Sequence, residues 1–222
     1  MTSEVLYVTG AGGHGREVHT YLRDIQDAGW TGELKGYLDD GLAPGVYGRL
    51  NVLGPLSYLK DSRERGARVR YITAVGGNAV RREMVRKLES LCGSGGLEPW
   101  TLIHPRAWVG QEDVEIGAGT CIAPGAIITA RIKIGAHCII NMKASVGHDC
   151  VLGDFVNINP GATICGWAQI GEGAYIGAGA VVKDKVKVGA WSVVGAGAVV
   201  IRDLPPSITA VGVPARVIKQ QQ

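Results

Sequence analysis

His148 and Asp149 stand side by side, and a histidine next to a carboxylate is a pair that can move a proton. Imidazole changes charge near neutrality, and the acid orients the ring and stabilises the imidazolium formed when it accepts a proton. Both residues follow the apolar Val146 of a regular repeat by two and three positions, which puts them at a corner facing outward. On spacing alone the pair is either a general base or an exposed corner histidine. Gly166 comes eighteen residues after His148, and Asn141 and Asn159 are eighteen residues apart. In an eighteen-residue repeat these intervals place residues one coil apart on one edge. The two asparagines then read either as a turn-stabilising ladder or as part of a site. His137 lies eleven residues before His148, and no H-x4-H spacing occurs. A three-histidine metal site lacks its third ligand here, so no metal is expected. His104, before Pro105, reads as a turn residue.

A second feature is the run Gly10-Ala-Gly-Gly-His-Gly15. A glycine turn between a strand and a helix suits a dinucleotide, but this unit ends in Asp39–Asp40 with no full dinucleotide-binding domain behind it. The helix after Gly15 can still hold phosphate at its N-terminus, or the turn serves packing alone. Asn78, at the start of a later helix, and Arg81 are weaker candidates, and Arg216 and Lys219 form either a site or a solvated basic tail. The five cysteines are odd in number and form no C-x-x-C, which argues against disulfides and a zinc knuckle and for a reduced, cytoplasmic chain.

Two kinds of element must position these residues. Residues 1–97 alternate strand-like and helix-like stretches. Val5–Thr9 reads as a strand, Gly10–Gly15 as a turn and Arg16–Ala28 as a helix; Leu34–Leu38 and Val69–Val75 read as strands, and 79–91 as a helix. This is a small α/β domain of Rossmann-like βαβ pattern, with Cys92–Gly96 as linker. Residues 98–222 carry the strongest signal. Stepping by six from Ile116 to Val200 meets Ile, Val or Leu at all fifteen positions, often followed by Gly, and usually with a small residue four positions on. Such a hexapeptide period marks a parallel β-helix, three hexads to a coil, about five coils in all. The branched residue points inward, the small residue shares the interior, and the glycine is expected to permit the bend. The wider composition agrees. Gly makes up 34 of 222 residues and Phe only one, which disfavours a core of large side chains. A net charge of +3 argues against nucleic acid as partner, and the polar start and the lack of a long apolar run argue against a leader peptide and a membrane span.

The hexads, the GAGGHG turn and the late Val211-Gly-Val-Pro-Ala-Arg216 segment resemble the left-handed β-helix acyltransferases. More narrowly, the chain is similar to the bacterial sialic acid O-acetyltransferase and UDP-4-amino-sugar N-acetyltransferase group. The resemblance implies left-handed coils, acetyl-CoA as co-substrate and a homotrimer that completes each site with a neighbour. It makes His148 the base, with Asp149 beside it, and aims the Gly166 N–H at the thioester carbonyl. Asn141 is placed beside the acyl donor or the base, Asn157 replaces a second histidine of some relatives, and Arg216 approaches the phosphates of coenzyme A. Gly13, His14 and Gly15 are placed against a nucleotide sugar, and Asp39 and Asp40 near its base. The expected reaction is direct acetyl transfer to the amine of a nucleotide-activated amino sugar. O-acetylation of a sialic acid and a non-catalytic nucleotide-sugar-binding trimer are the alternatives.

Overall fold

The computed structural model describes residues 4–61, 68–92 and 97–220. The chain forms two compact units, Met1–Trp100 and Thr101–Gln222, the first ending three residues beyond the expected boundary at 97. The reason is local. A short strand, Glu98–Pro99, pairs with Arg68–Thr73, the Trp100 amide donates to the Tyr71 carbonyl, and the Trp100 and Trp30 rings lie 5.3 Å apart. The linker expected at Cys92–Gly96 falls largely outside the described residues; Cys92 ends a helix.

The first unit runs β1 (Glu4–Thr9), α1 (Gly13–Asp27), β2 (Glu33–Leu38), β3 (Gly45–Tyr47), β4 (Leu50–Gly54), α2 (Tyr58–Asp61), β5 (Arg68–Thr73), α3 (Asn78–Cys92) and β6 (Glu98–Pro99). Its sheet has the order β3-β4-β2-β1-β5-β6, parallel throughout except for the β3–β4 hairpin. Central β1 is apolar and almost wholly buried, as a parallel strand covered on both faces must be. The expected turn at Gly10–Gly15 is shorter than its sequence suggests: α1 begins at Gly13, so His14 and Gly15 lie in its first turn. Gly15 serves packing, because a Cβ there would sit 2.2 Å from the Gly10 carbonyl oxygen.

The second unit is a parallel β-helix of three sheets with eight, six and five strands. Partners along each sheet are eighteen residues apart from Val114 to Val200, as in Ile139↔Asn157 and Ser145↔Thr163. The stack begins a coil earlier than the repeat count implied. Leu102–Ile103 pairs with Cys121–Ile122, and Trp108–Val109 with Ile127–Ile128, at spacings of nineteen. One extra residue before Val114 breaks the period of six and hides this coil from a count by sixes. At the other end Val193–Val194 pairs with Thr209–Ala210, and Arg216–Gln220 returns antiparallel along Ile208–Val211. The inward Ile, Val and Leu and the small residues four positions later form one continuous core. Burying each branched side chain contributes roughly 1.5–3 kcal/mol.

The glycine after each branched residue does not make the bend, contrary to expectation. It allows close stacking: a Cβ on Gly135 would lie 2.5 Å from the Gly153 carbonyl carbon, and one on Gly171 2.5 Å from the Ala190 amide nitrogen. The bend lies three residues after the branched position. Every sixth residue from Asp113 to Gly197 has positive φ, and Arg131, Asp149, Trp167 and Lys185 are among the non-glycine examples. Each such residue costs about 1–2 kcal/mol in backbone conformation. Hydrogen bonds to the preceding coil offset this, as in Asp149 N–H to the Ala130 carbonyl, Trp167 N–H to His148 and Lys185 N–H to Gly166.

Candidate active site

The corner geometry arranges the candidate base. Arg131, Asp149, Trp167 and Lys185 occupy the same left-handed corner in four successive coils, so their side chains stack along one outer edge. His148 immediately precedes one of these corners, and its side chain is 48% exposed. Its Nδ1 lies 2.7 Å from Asp149 Oδ2. Arg131, which the sequence reading missed, grips the same carboxylate with two bonds, Nε to Oδ1 at 2.8 Å and a terminal nitrogen to Oδ2 at 3.0 Å. The hydrogen bonds of Arg131, and after them that of His148, push Asp149 down to about 2. An ionised carboxylate only accepts, so Nδ1 of neutral His148 carries the proton and Nε2 keeps its lone pair. Trp167 meets the imidazole edge-on at 4.4 Å and 87°, and Lys185 Nζ lies 5.4 Å from the Trp167 ring centroid. The ring is held on two sides with Nε2 as the reactive atom.

Gly166 lies under the ring: a Cβ there would come within 2.8 Å of His148 Cε1 and Nε2. Amides at this corner position stay out of the coil-to-coil ladder. Ala136 N–H bonds to Asp154 Oδ1 and Met142 N–H to Asn141 Oδ1. The Gly166 N–H has no hydrogen-bond partner among the described residues. Residue 147 puts no side chain over it, since a Cβ on Gly147 would lie 2.9 Å from the Gly166 nitrogen and glycine supplies none. The edge thus presents a lone pair on Nε2 beside a free N–H, as acyl transfer requires of a base and an oxyanion donor. Cys150 follows Asp149 but faces inward, and burial pushes its thiol up to about 11, so it supplies no thiolate nucleophile. Cys121, Cys138, Cys150 and Cys165 are all free.

Other predicted residues are more scattered. The contacts of His148 run to Asp149, Trp167 and Gly166, and among the described residues none runs to Asn141, Asn157 or Arg216. Asn141 turns its oxygen to its neighbour's amide and Asn159 donates to the Ile176 carbonyl, so each bonds to backbone instead of forming a mutual ladder. Asn157 is buried, and Arg216 is exposed on the last strand. His104 accepts the Arg106 N–H, the bond of a turn residue.

In the first unit, Gly12 and Gly13 open α1 with no side-chain cap and with empty space where a Cβ would point, which leaves the helix start approachable. His14 is mostly buried; burial holds its pKa below the ordinary value, Glu17 opposes this at 3.1 Å, and among the described residues Nε2 has no hydrogen-bond partner. Asp39 accepts from the Ala11 N–H and the Gly41 N–H, tying the end of β2 to the glycine turn. Asp40 is committed elsewhere, to Lys87 Nζ at 2.6 Å and the Leu56 N–H. Partial burial works against its charge, but Lys87 and the Leu56 amide hold Asp40 below the ordinary carboxylate value. Asn78 is buried at the start of α3, and Arg81 is buried with its guanidinium on the Val75 carbonyl, which makes Arg81 a support for the loop.

Arg131→Ala should test the positioning role. Asp149 loses its largest depressing contact, so its pKa rises towards the ordinary value, and the ring loses its anchor. We expect kcat to fall about tenfold, a fraction of the value of the base itself, with KM for acetyl-CoA unchanged. The folded-state pKa of Asp149 is depressed, so its contribution to stability is present above the unfolded value and lost as pH falls towards 2. Wild type should therefore be more stable than the variant above about pH 4, and this advantage should shrink and vanish in acid melts between about pH 4 and 2.

The bacterial transferase hexapeptide model matches residues 131–166 and 168–202, and the PglD N-terminal domain model matches residues 5–88. The chain is 33% identical to the GDP-perosamine N-acetyltransferase of Escherichia coli O157:H7 over 161 residues, 72% of this chain and 69% of that protein. PerB from Caulobacter crescentus, crystallised with CoA and GDP-perosamine, superposes with a TM-score of 0.86 at 35% identity, covering 99% of both chains. The acetyltransferase domain of PglB from Neisseria gonorrhoeae, in complex with acetyl coenzyme A, gives 0.84 at 31% identity over 97% of this chain and 100% of that one. Two matching domain models in the right order, a full-length superposition and the His148–Asp149 edge agree: the chain belongs to the hexapeptide-repeat, left-handed β-helix acyltransferases that carry a PglD-type N-terminal domain.

Proposed function

We propose that the protein transfers the acetyl group of acetyl-CoA to the amine of a nucleotide-diphosphate-linked amino sugar. The observation that carries this reading is the His148–Asp149–Arg131 chain with Nε2 free beside the Gly166 N–H. The amine nitrogen attacks the thioester carbonyl and the new C–N bond forms. His148 Nε2 takes the proton the nitrogen sheds, the C–S bond breaks, and the proton passes to the departing thiolate. The Gly166 N–H faces the oxygen on which charge develops. The transfer is direct, and the inward, neutral Cys150 fits that reading. Similarity to N-acetyltransferases of GDP-perosamine and UDP-N-acetylbacillosamine supports an amine acceptor over a sialic acid hydroxyl, and the base itself argues against a non-catalytic scaffold. Thiol release from acetyl-CoA should be rapid with GDP- or UDP-linked 4-amino sugars and absent with free sialic acid; the reverse order would favour O-acetylation.

The open start of α1 and the Asp39-braced glycine turn support binding of the sugar nucleotide at Gly13, His14, Gly15 and Asp39, and the prism is the proposed site of the acyl donor, with Asn141, Asn157 and Arg216 as its outlying members. Asp39→Ala removes two charged hydrogen bonds that shape the turn. KM for the nucleotide sugar should rise about 10–100-fold, as loss of a hydrogen bond to a charged group implies, with KM for acetyl-CoA unchanged. Equal rises in both constants would count against this division. A homotrimer, in which a neighbour completes each prism edge, is part of the proposal; full activity in a 23.3 kDa species by light scattering would remove it.

A further inference from the structure

A cavity of about 280 Å³ opens on the first unit between α1 and the β3–β4 hairpin, next to the glycine turn: Arg16 follows Gly15, and the Tyr37 hydroxyl donates to the Gly15 carbonyl at 3.3 Å. Arg16, His19 and Arg23 enter it from one face of α1, three and four residues apart, and Tyr37, Tyr47 and Arg49 form the opposing wall. Among the described residues no carboxylate lines it. Among the described residues the Arg16 guanidinium reaches only the Tyr47 hydroxyl, at 3.4 Å, with its central carbon 6.0 Å from the ring centroid. Among the described residues, Arg23 and Arg49 have no acidic partner, although this unit pairs Arg68 and Arg70 with Glu98 and Glu4. Burial, then Arg23 and Arg49, hold His19 below its ordinary pKa, a sign of the positive potential gathered there.

Three exposed guanidiniums gathered around one small space give it a positive lining, and the planar fork of arginine matches phosphate oxygens. Tyr37 and Tyr47, edge to face at 6.4 Å and 88°, add a flat apolar wall. The volume lies just below the roughly 300–1,000 Å³ of small-molecule sites, enough for a phosphorylated group but not for a full nucleotide-diphosphate sugar. We propose that the Arg16–Arg23–Arg49 cavity is a second anion site that binds a small phosphorylated ligand independently of the acceptor at the glycine turn. The shared chemistry is a phosphate or diphosphate group, whether free in solution or carried by a small metabolite.

The probe is inorganic pyrophosphate, titrated calorimetrically into the full-length protein at low salt, with and without saturating acceptor nucleotide sugar. AMP and inorganic phosphate, run in parallel, distinguish a carried phosphate from a free one. We expect one pyrophosphate per chain, an affinity unchanged by the nucleotide sugar, and at least a tenfold loss in the R23Q/R49Q double variant. Arg23→Lys, which keeps charge but not the fork, should lose less. KM values for both substrates and the melting temperature should be unchanged in all variants. Equal pyrophosphate affinity in R23Q/R49Q, absence of binding, or competition with the nucleotide sugar would each overturn the proposal.

Discussion

His148→Ala should lower kcat by about 10²–10⁴-fold, the usual worth of a positioned general base. A chain of contacts holds the imidazole and aims its Nε2 lone pair. Nδ1 is fixed by an ionised carboxylate, that carboxylate is gripped twice by Arg131, and the ring edge rests on Trp167. Nearly half of the side chain is exposed, so little apolar area leaves the core on truncation and the melting temperature should move little. KM for acetyl-CoA should stay close to wild type, since the base acts on the proton of the acceptor. Asp149→Asn should cost less than His148→Ala, because the ring remains and only its orientation and charge stabilisation suffer. A fall in kcat of less than about threefold for His148→Ala would place the base elsewhere.

The second large effect is expected from a residue with no side chain. Gly166→Ala puts a methyl group 2.8 Å from both Cε1 and Nε2 of His148, closer than real Cβ contacts come. Gly166 is not among the positive-φ residues, so alanine fits its backbone and the closest contacts of the new methyl are with the ring. To relieve it the imidazole must swing off Asp149 or away from Trp167. Displacing a reacting group by a fraction of an ångström to one ångström costs up to about 10²-fold, so kcat should fall roughly 10–100-fold in a protein that still folds. Circular dichroism and the melting curve should match wild type, which separates this outcome from a packing failure. Unchanged kcat would mean that the reactive face of His148 does not lie over Gly166.

The β-helix was legible because its period is enforced at every coil: inward positions tolerate only branched or small side chains, and each coil must stack on the next. What escaped was aperiodic. One extra residue before Val114 hid the first coil, although its strands pair as regularly as the rest. The bend was misplaced because glycine serves two purposes here. Glycines after the branched residues clear space for the neighbouring coil, whereas the left-handed corners accept Arg131, Asp149 and Trp167 as well as glycine, their backbone cost being met by bonds to the coil before. Arg131 could have been found: it stands eighteen residues before Asp149 with opposite charge, the same interval that singled out Gly166. In the first unit, β3, β4, α2 and β6 are too short to show a period, and α1 starts at Gly13 without a capping side chain to announce it. Asp40 matched a family position by sequence, but its bond to Lys87 on α3 comes from a residue 47 positions away that no local pattern predicts.

The most direct test is product identification. Acetyl-CoA and a GDP- or UDP-linked 4-amino sugar are incubated with wild-type protein and with His148→Ala, and the nucleotide sugar is analysed by mass spectrometry and NMR. The expected product from the wild type is a nucleotide sugar carrying one acetyl group on its amine nitrogen, formed one for one with free coenzyme A, with only a trace from the variant. An unmodified amine across both sugar series, an acetyl group on oxygen instead, or equal product from the variant would contradict the account.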